Sequence, residues 1–441
     1  MDNKTCQEFK TRRDNLAQQM AENSVAILCS ATLKTRNKDV EYKYRQDSNF
    51  LYLTNFDEPE SAMLILKNKN NNYKFMLFVR PSNQKEELWQ GRRLGINEAK
   101  NKIGADRVFS IKTINKKLPS LIKNKNSIYC NLGECGTQDK KLINWINLAK
   151  NESSYESFAL HQIISLNFYL SKMRLIKSEY EISKMQQAAD ISIIAHKKAI
   201  QNCQVGMFEY QLEAIIINEF KKQGLDSSYP PIVASSNNAC ILHYTKNNQK
   251  MINDSMVMID AGCECTGYAA DISRSYPVNG KFSEAQKDIY NIVLEAQLAG
   301  IKKAKPHNLY SNIHKEVVLK ITQGLLKLGL LKGELGQLIK NKKYKKFYMH
   351  QSGHWLGLDV HDVGDYQINK KSIKLKKGMA FTIEPGIYIS NNKNIPQKYH
   401  NIGIRIEDSF VITDTGCKNL SQNLVKTIDE LESLSKQNQN K

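Results

Sequence analysis

Carboxylates and histidines recur in five short stretches toward the C-terminal end of this chain. They are Ile259-Asp260-Ala261-Gly262, Ala270-Asp271-Ile272, the run from His350 to His361 with His354 between, Thr382-Ile383-Glu384-Pro385-Gly386, and Arg405-Ile406-Glu407-Asp408. Several are embedded in apolar, β-prone sequence, such as Met256-Val257-Met258-Ile259 before Asp260 and Phe381-Thr382-Ile383 before Glu384. An unpaired carboxylate is costly to bury, so positive charge is expected beside these acids. Four carboxylates neutralise two divalent cations, and the charge of a hydroxide held between them would be offset by Arg405 nearby. An oxygen-rich shell with one imidazole and no thiolate favours a hard or borderline ion such as manganese, with zinc, cobalt or iron able to substitute.

The spacing sets conditions on the elements that carry these groups. Asp260 and Asp271 flank the turn-like segment Glu264-Cys265-Thr266-Gly267. If Cys265 and Thr266 form the tip, the two aspartates lie directly opposite each other on an antiparallel hairpin. His350 and His354 have helical i, i+4 spacing, yet Gly353, Gly357 and the alternation Leu356, Leu358, Val360 predict a turn into a strand. Glu384 closes a strand before Pro385-Gly386, and Glu407 ends the run Ile402-Gly403-Ile404-Arg405-Ile406, so both project from rigid sheet. Singly, a surface acid or a packed histidine is the ordinary reading of each residue; the case for chemistry rests on the set.

A chain of 441 residues predicts two domains. Between Ser24 and Arg80, β-rich runs alternate with polar breaks (Val25-Ala26-Ile27-Leu28, Asn49-Phe50-Leu51-Tyr52-Leu53, Met63-Leu64-Ile65-Leu66 and Phe75-Met76-Leu77-Phe78-Val79). Helical segments near 97–103, 114–123 and 138–147 and a strand at Ser127-Ile128-Tyr129-Cys130 follow, so residues 1–172 read as an α/β domain. The second domain, 173–441, opens with an amphipathic helix over 179–203, then helices over 209–223 and from the Ser283-Glu284-Ala285-Gln286 capping box to about residue 303. The polar tail 427–441 reads as partly disordered.

The net charge of +20 invites a nucleic-acid partner. Lysine and asparagine are, however, spread along the whole length, and no nucleic-acid motif accompanies them, so solvated faces are the expectation. A polar N-terminus, no run of membrane-spanning length and nine scattered cysteines without a CxxC pair predict a cytoplasmic protein with reduced thiols and no membrane partner.

The stretches Ile241-Leu242-His243-Tyr244-Thr245, Asp260-Ala261-Gly262, Ala270-Asp271-Ile272, Gly353-His354-Trp355-Leu356-Gly357-Leu358-Asp359-Val360-His361-Asp362, Glu384-Pro385-Gly386 and Gly403-Ile404-Arg405-Ile406-Glu407-Asp408 resemble those of the Xaa-Pro aminopeptidases (aminopeptidase P). Tyr44-Arg45-Gln46-Asp47-Ser48-Asn49-Phe50 and Trp89-Gln90-Gly91-Arg92-Arg93-Leu94-Gly95 resemble that family's N-terminal domain, so the likeness covers nearly the whole chain. It implies an α/β creatinase-like N-terminal domain, an α+β pita-bread catalytic domain and a dinuclear manganese centre. It also implies hydrolysis of the X-Pro bond of peptides with proline second, in a homo-oligomer, dimer or tetramer. By this likeness Asp260, Asp271, His354, Glu384 and Glu407 hold the metals, Asp271 and Glu407 bridge them, and Glu384 moves the proton from a shared water. His243, His361 and His350 sit beside the substrate. A neighbouring subunit is implied to help build the proline pocket, with Asp39 and Trp89 the positions to test. Two departures bear on substrate preference: Lys246, where the family commonly has glutamate, and a short basic segment over 365–371. The alternatives are a proline dipeptidase, which shares the ligands but must grip a free carboxylate, and a non-catalytic pita-bread binding module.

Overall fold

The computed structural model describes residues 3–134, 136–151 and 160–436. The chain divides into two compact units, Met1–Met173 and Arg174–Lys441.

The first unit is built on a six-stranded mixed sheet in the order Arg107–Ser110, Tyr73–Val79, Ala62–Lys67, Ser24–Cys29, Ser127–Cys130, Gln162–Ser165. Its buried face joins Val25, Ile27, Leu64 and Phe78 to Leu118, Leu142 and Trp145 of two helices. One expected strand is a helix. Ser48–Thr54 takes up Asn49 to Leu53 because the Asp47 carboxylate accepts from Phe50 N at 2.8 Å and Asn55, at φ 51°, ends the helix in the left-handed region. Such an N-cap outweighs the β-preference of Phe50 and Tyr52.

The second unit is α+β. Three antiparallel strands, Ile232–Ser235, Met256–Asp260 and Ser273–Pro277, form one sheet. Ala380–Ile383, Asp408–Ile412 and Cys417–Asn419 form another, and Gly386–Ile389 pairs with Ile402–Arg405. A bridge between Ser273 and Glu407 joins the first system to the second. Strand alternation then assigns the faces. Val257, Ile259, Ile404 and Ile406 point into the large core shared with the helices Glu179–Asn202, Glu209–Lys222, Glu284–Lys303 and Ser311–Lys327, whereas Met258 lies on the opposite face with Tyr388. Asp260, Arg405 and Glu407 therefore project away from the helices into the concave side.

The hairpin between the two aspartates has a different register from the one expected. Its tip is Thr266-Gly267, at φ 53° and 84°, with Cys265 opposite Tyr268. Two consecutive positive φ values suit glycine at the second tip position. Asp260 consequently pairs with Ser273, not Asp271. Asp271 reaches Asp260 because the hairpin is pinched at Gly262, where a Cβ would stand 1.7 Å from Ala270 O.

The strand expected over Leu356–Val360 is also absent. Only Trp355 bridges, to Phe381, and the chain curls so that Gly357 N donates to Asp359 O and Asp362 N to Trp355 O. Most of the expected disordered tail is likewise ordered: Ile428–Lys436 is a helix seated by Leu431, and 437–441 fall outside the described residues.

The first helix of this unit carries a fully buried histidine. His196 Nε2 donates to Ala261 O at 3.0 Å, beside Asp260, and Nδ1 has no partner. Burial holds the imidazole at a pKa of about 4, so it is neutral in the folded protein near neutral pH. Unfolding lets it bind a proton below pH ~6.5, so its contribution favours the folded state fully above that value and shrinks as pH falls toward 4. The difference amounts to about 3 kcal/mol. His196→Gln keeps a donor but cannot titrate. Urea unfolding from pH 4 to 7 is expected to show a shallower pH dependence for the variant; parallel profiles would contradict the neutral buried imidazole.

Candidate metal centre

The site residues converge on a cavity of about 760 Å³ that is lined by Asp260, Asp271, Glu384 and Glu407 together with His243, His350, His354, His361 and Arg405. The structure thus brings together Asp260, Asp271, His354, Glu384, Glu407, His243, His350, His361 and Arg405, all expected at the site from the sequence. Asp271, His354 and Glu407 offer donor atoms that all lie within 4.8 Å of one another.

Each is held by a different device. Gly353 lets the chain lie against the strand Ala380–Ile383, since a Cβ there would stand 1.9 Å from Thr382 O. Thr382 N donates to His354 O at 2.9 Å, which fixes the histidine's backbone. His354 Nδ1 donates to Trp355 O at 2.9 Å and Nε2 donates to Asp271 Oδ2 at 3.2 Å, with Glu384 Oε1 at 3.7 Å. Against the effect of burial, those two carboxylates raise the imidazole to about 9, so Nε2 carries a proton that a metal ion would displace. Glu407 shows its place most directly. Ser273 Oγ donates to Oε2 at 2.7 Å, while Oε1 is buried with no partner. A buried carboxylate oxygen left bare calls for a cation.

The electrostatics agree. Burial, followed by the charges of Asp271 and Glu384, pushes the Glu407 carboxyl far above the usual range. Burial also raises Asp260, against the pull of Arg405, and raises Glu384, against His354. Burial would raise Asp271 as well, but the hydrogen bond and charge of His354 prevail and hold it low. Among the described residues lining the cavity near these acids, Arg405 is the guanidinium that meets them. It forms an ion pair with Asp260 Oδ2, donates from Nε to Ser273 Oγ at 2.9 Å and from Nη1 to Tyr388 OH at 3.3 Å. One guanidinium leaves most of four carboxylates uncompensated, so the donor set fits divalent cations.

The remaining histidines differ in state. His350 donates from Nδ1 to Gln351 O at 2.6 Å and accepts at Nε2 from Tyr388 OH at 2.8 Å, so both nitrogens are engaged; burial and Arg405 hold it neutral, near 3. It orients Tyr388 and through it Arg405. His361 stacks on His354 with ring centres 3.9 Å apart and planes at 7°. His243 is exposed at the cavity wall.

Two contributors escaped the sequence reading. Tyr229 OH lies 2.6 Å from Asp260 Oδ1 and 2.7 Å from Asp271 Oδ1, and burial with those two charges keeps the phenol protonated. Tyr388 is the second. Neither carries a local sequence signal, because each meets its partners only across strands.

Residues 183–414 match the model for metallopeptidase family M24, and residues 9–129 match the aminopeptidase P N-terminal domain. The chain is 42% identical to an Xaa-Pro aminopeptidase of Escherichia coli (strain K12), over 97% of each chain. The chain belongs to the Xaa-Pro aminopeptidases of metallopeptidase family M24. It is a metallo-exopeptidase, with the creatinase-like and pita-bread domains of that family. A solved aminopeptidase PepP from Pseudomonas aeruginosa superposes with a TM-score of 0.97 at 42% identity, covering 99% of both chains. Zinc-substituted aminopeptidase P of E. coli in complex with product superposes at 0.95, with 42% identity and 98% coverage of both.

In this Xaa-Pro aminopeptidase family member, the Tyr229 hydroxyl sits between Asp260 and Asp271 and its one proton serves one carboxylate at a time. Tyr229→Phe is expected to weaken divalent-metal binding about tenfold or more, read by calorimetric titration of chelator-treated protein with Mn2+. Unchanged affinity would remove Tyr229 from the centre.

Proposed function

We propose that Asp260, Asp271, His354, Glu384 and Glu407 hold two divalent cations, with manganese the ion this donor set favours, and that the site releases the N-terminal residue of peptides whose second residue is proline. The observation that carries the metal assignment is the bare, buried Oε1 of Glu407 among four carboxylates that face one guanidinium. Divalent cations there supply the positive charge that makes water a competent nucleophile at neutral pH and polarises a carbonyl.

The chain's own residues do the rest. Glu384, raised by burial, is suited to take a proton at its carboxylate from the attacking water and hand it to the departing proline nitrogen. That nitrogen belongs to a tertiary amide with no hydrogen of its own, so proton delivery completes the cleavage. His243 and His361 border the cavity where the substrate carbonyl and its tetrahedral successor would lie, and the stack on His354 fixes the plane of His361. Arg405, oriented by Tyr388 and Ser273, keeps Asp260 ionised and in place.

Among the described residues no helix is long and apolar enough to cross a membrane. Eight free cysteines among them support a reducing, cytoplasmic setting. Leu88 and Trp89, 82% and 87% exposed on the helix Gln84–Gln90 of the first unit, supply apolar surface for assembly into a homo-oligomer, dimer or tetramer. Trp89 is thus no core aromatic of its own unit, and Asp39 is also exposed.

Peptides of the form X-Pro-Y-Z, their X-Ala-Y-Z counterparts and X-Pro dipeptides separate the readings. Release of X from the first set alone is expected. Strong preference for the dipeptide would instead favour a proline dipeptidase, and no hydrolysis with metal supplied would favour a binding module. Glu407→Ala is expected to lower kcat/KM by roughly a thousandfold or more with the circular dichroism spectrum retained, since it removes a metal ligand and no core volume. Near-normal turnover would contradict the assignment.

A further inference from the structure

One wall of the same cavity carries basic groups that the cleavage step does not use. It is formed by the start of the helix Ser311–Lys327, where His314 and Lys315 border the cavity. Lys315 is exposed, and no ion-pair partner is found for it among the described residues; the same holds for Lys345, whose charge is felt at His314.

His314 is a directed donor. Its Nδ1 lies 2.8 Å from Ser352 Oγ, which lies 2.7 Å from Tyr348 OH. Tyr348 is completely buried, and Ser352 is 2% exposed. The phenol has no other hydrogen-bond partner among the described residues, so its proton must go to Ser352 Oγ to be satisfied. The serine proton then goes to His314 Nδ1, and the imidazole proton sits on Nε2. That Nε2–H has no protein acceptor and is not among the buried polar atoms lacking a partner, so it opens to the cavity. Burial, followed by the charge of Lys345, holds His314 near 4, so the ring is neutral at pH 7 and this tautomer persists.

We propose that this wall is a carboxylate subsite, in which His314 Nε2 and the Lys315 ammonium bind an acidic group carried by the peptide downstream of the scissile bond. The proposal rests on the X-Pro reading of the cavity. Only one residue precedes the bond, and its carbonyl must lie among the carboxylates and histidines of the metal centre. The rest of the substrate extends downstream and must exit along the remaining wall. A short peptide presents a carboxylate there in every case, at its own C-terminus. A longer one does so when it carries Asp or Glu. A neutral N–H donor paired with an unpartnered ammonium matches a carboxylate and has no preference for an amide. The adjacent hairpin of Gln367–Ile368 with Lys371–Ser372 supports the wall, since Ser311 N donates to Ser372 Oγ at 3.0 Å.

The test compares kcat/KM, with metal-loaded enzyme, for four peptides: X-Pro-Ala as the free acid, X-Pro-Ala-amide, X-Pro-Asp-amide and Asp-Pro-Ala-amide. The free acid is expected to exceed the simple amide by about tenfold if the C-terminal carboxylate is the group bound, and X-Pro-Asp-amide to exceed it if a side chain is. In Lys315→Gln, and separately in His314→Asn, the ratio of acidic to neutral peptide is expected to fall toward one. Equal rates for all four peptides would overturn the subsite while leaving X-Pro cleavage intact. A preference for Asp before the proline would overturn the downstream assignment, and undiminished ratios in both variants would overturn the residues named. Failure to cleave any of the four would sink the X-Pro reading itself, and the subsite with it.

Discussion

Mutual repulsion among Asp260, Asp271, Glu384 and Glu407 is the constraint around which the second unit is organised. Four carboxylates buried on the concave side of a sheet cannot all remain charged beside a single guanidinium. Without further positive charge, Glu407 and Glu384 are pushed toward protonation. Bound cations would resolve the conflict, and would turn a destabilising cluster into a site that draws the strands together. Metal affinity and the stability of this unit are therefore linked.

Around that centre the protein supplies a stiff frame. Glu407 faces the cavity, and its neighbour Asp408 faces the opposite side, where Arg274 Nη2 and Lys426 Nζ reach it at 2.7 and 2.8 Å. The two cations overcome the effect of burial and hold the Asp408 carboxyl well below the usual range. Arg274 also donates to Glu407 O at 2.7 Å, so a fully buried ion pair fixes the backbone of the adjacent Glu407. On the other side, Tyr229 sits between Asp260 and Asp271. The loop bearing His354 and His361 is closed by Asp362, whose carboxylate is bound by Arg174 and by Lys177 at 2.8 Å. Placement of this kind, from rigid elements with satisfied supports, is what a metal centre requires.

The apolar, β-prone runs before Asp260, Glu384 and Glu407 made their placement on sheet legible, because such runs form strands for local reasons, whereas the face each side chain takes is set by the helices packed against the other side. The Ser283 capping box placed the start of Glu284–Lys303 for an equally local reason. Failures fell where a tertiary contact or a turn decided the outcome. Asn49 to Leu53 reads as strand by composition, yet the Asp47 cap makes it a helix. Leu356, Leu358 and Val360 alternate like a strand but belong to a closed loop held from a distance by Arg174 and Lys177. The aspartate hairpin was shifted because its tip depends on which pair tolerates positive φ. The Tyr348–Ser352–His314 relay joins one loop, which carries Tyr348 and Ser352, to His314 on the helix Ser311–Lys327, and no local pattern announces it.

The central claim, that cations occupy the focus of these carboxylates, is tested most directly by anomalous diffraction. Crystals of protein purified without chelator and supplied with Mn2+ would be measured on both sides of the manganese absorption edge. Two anomalous peaks between Asp260, Asp271, Glu407, Glu384 and His354 Nε2 are the predicted result. A map without density there, with the carboxylates paired to one another through protons or turned toward lysines, would contradict the account.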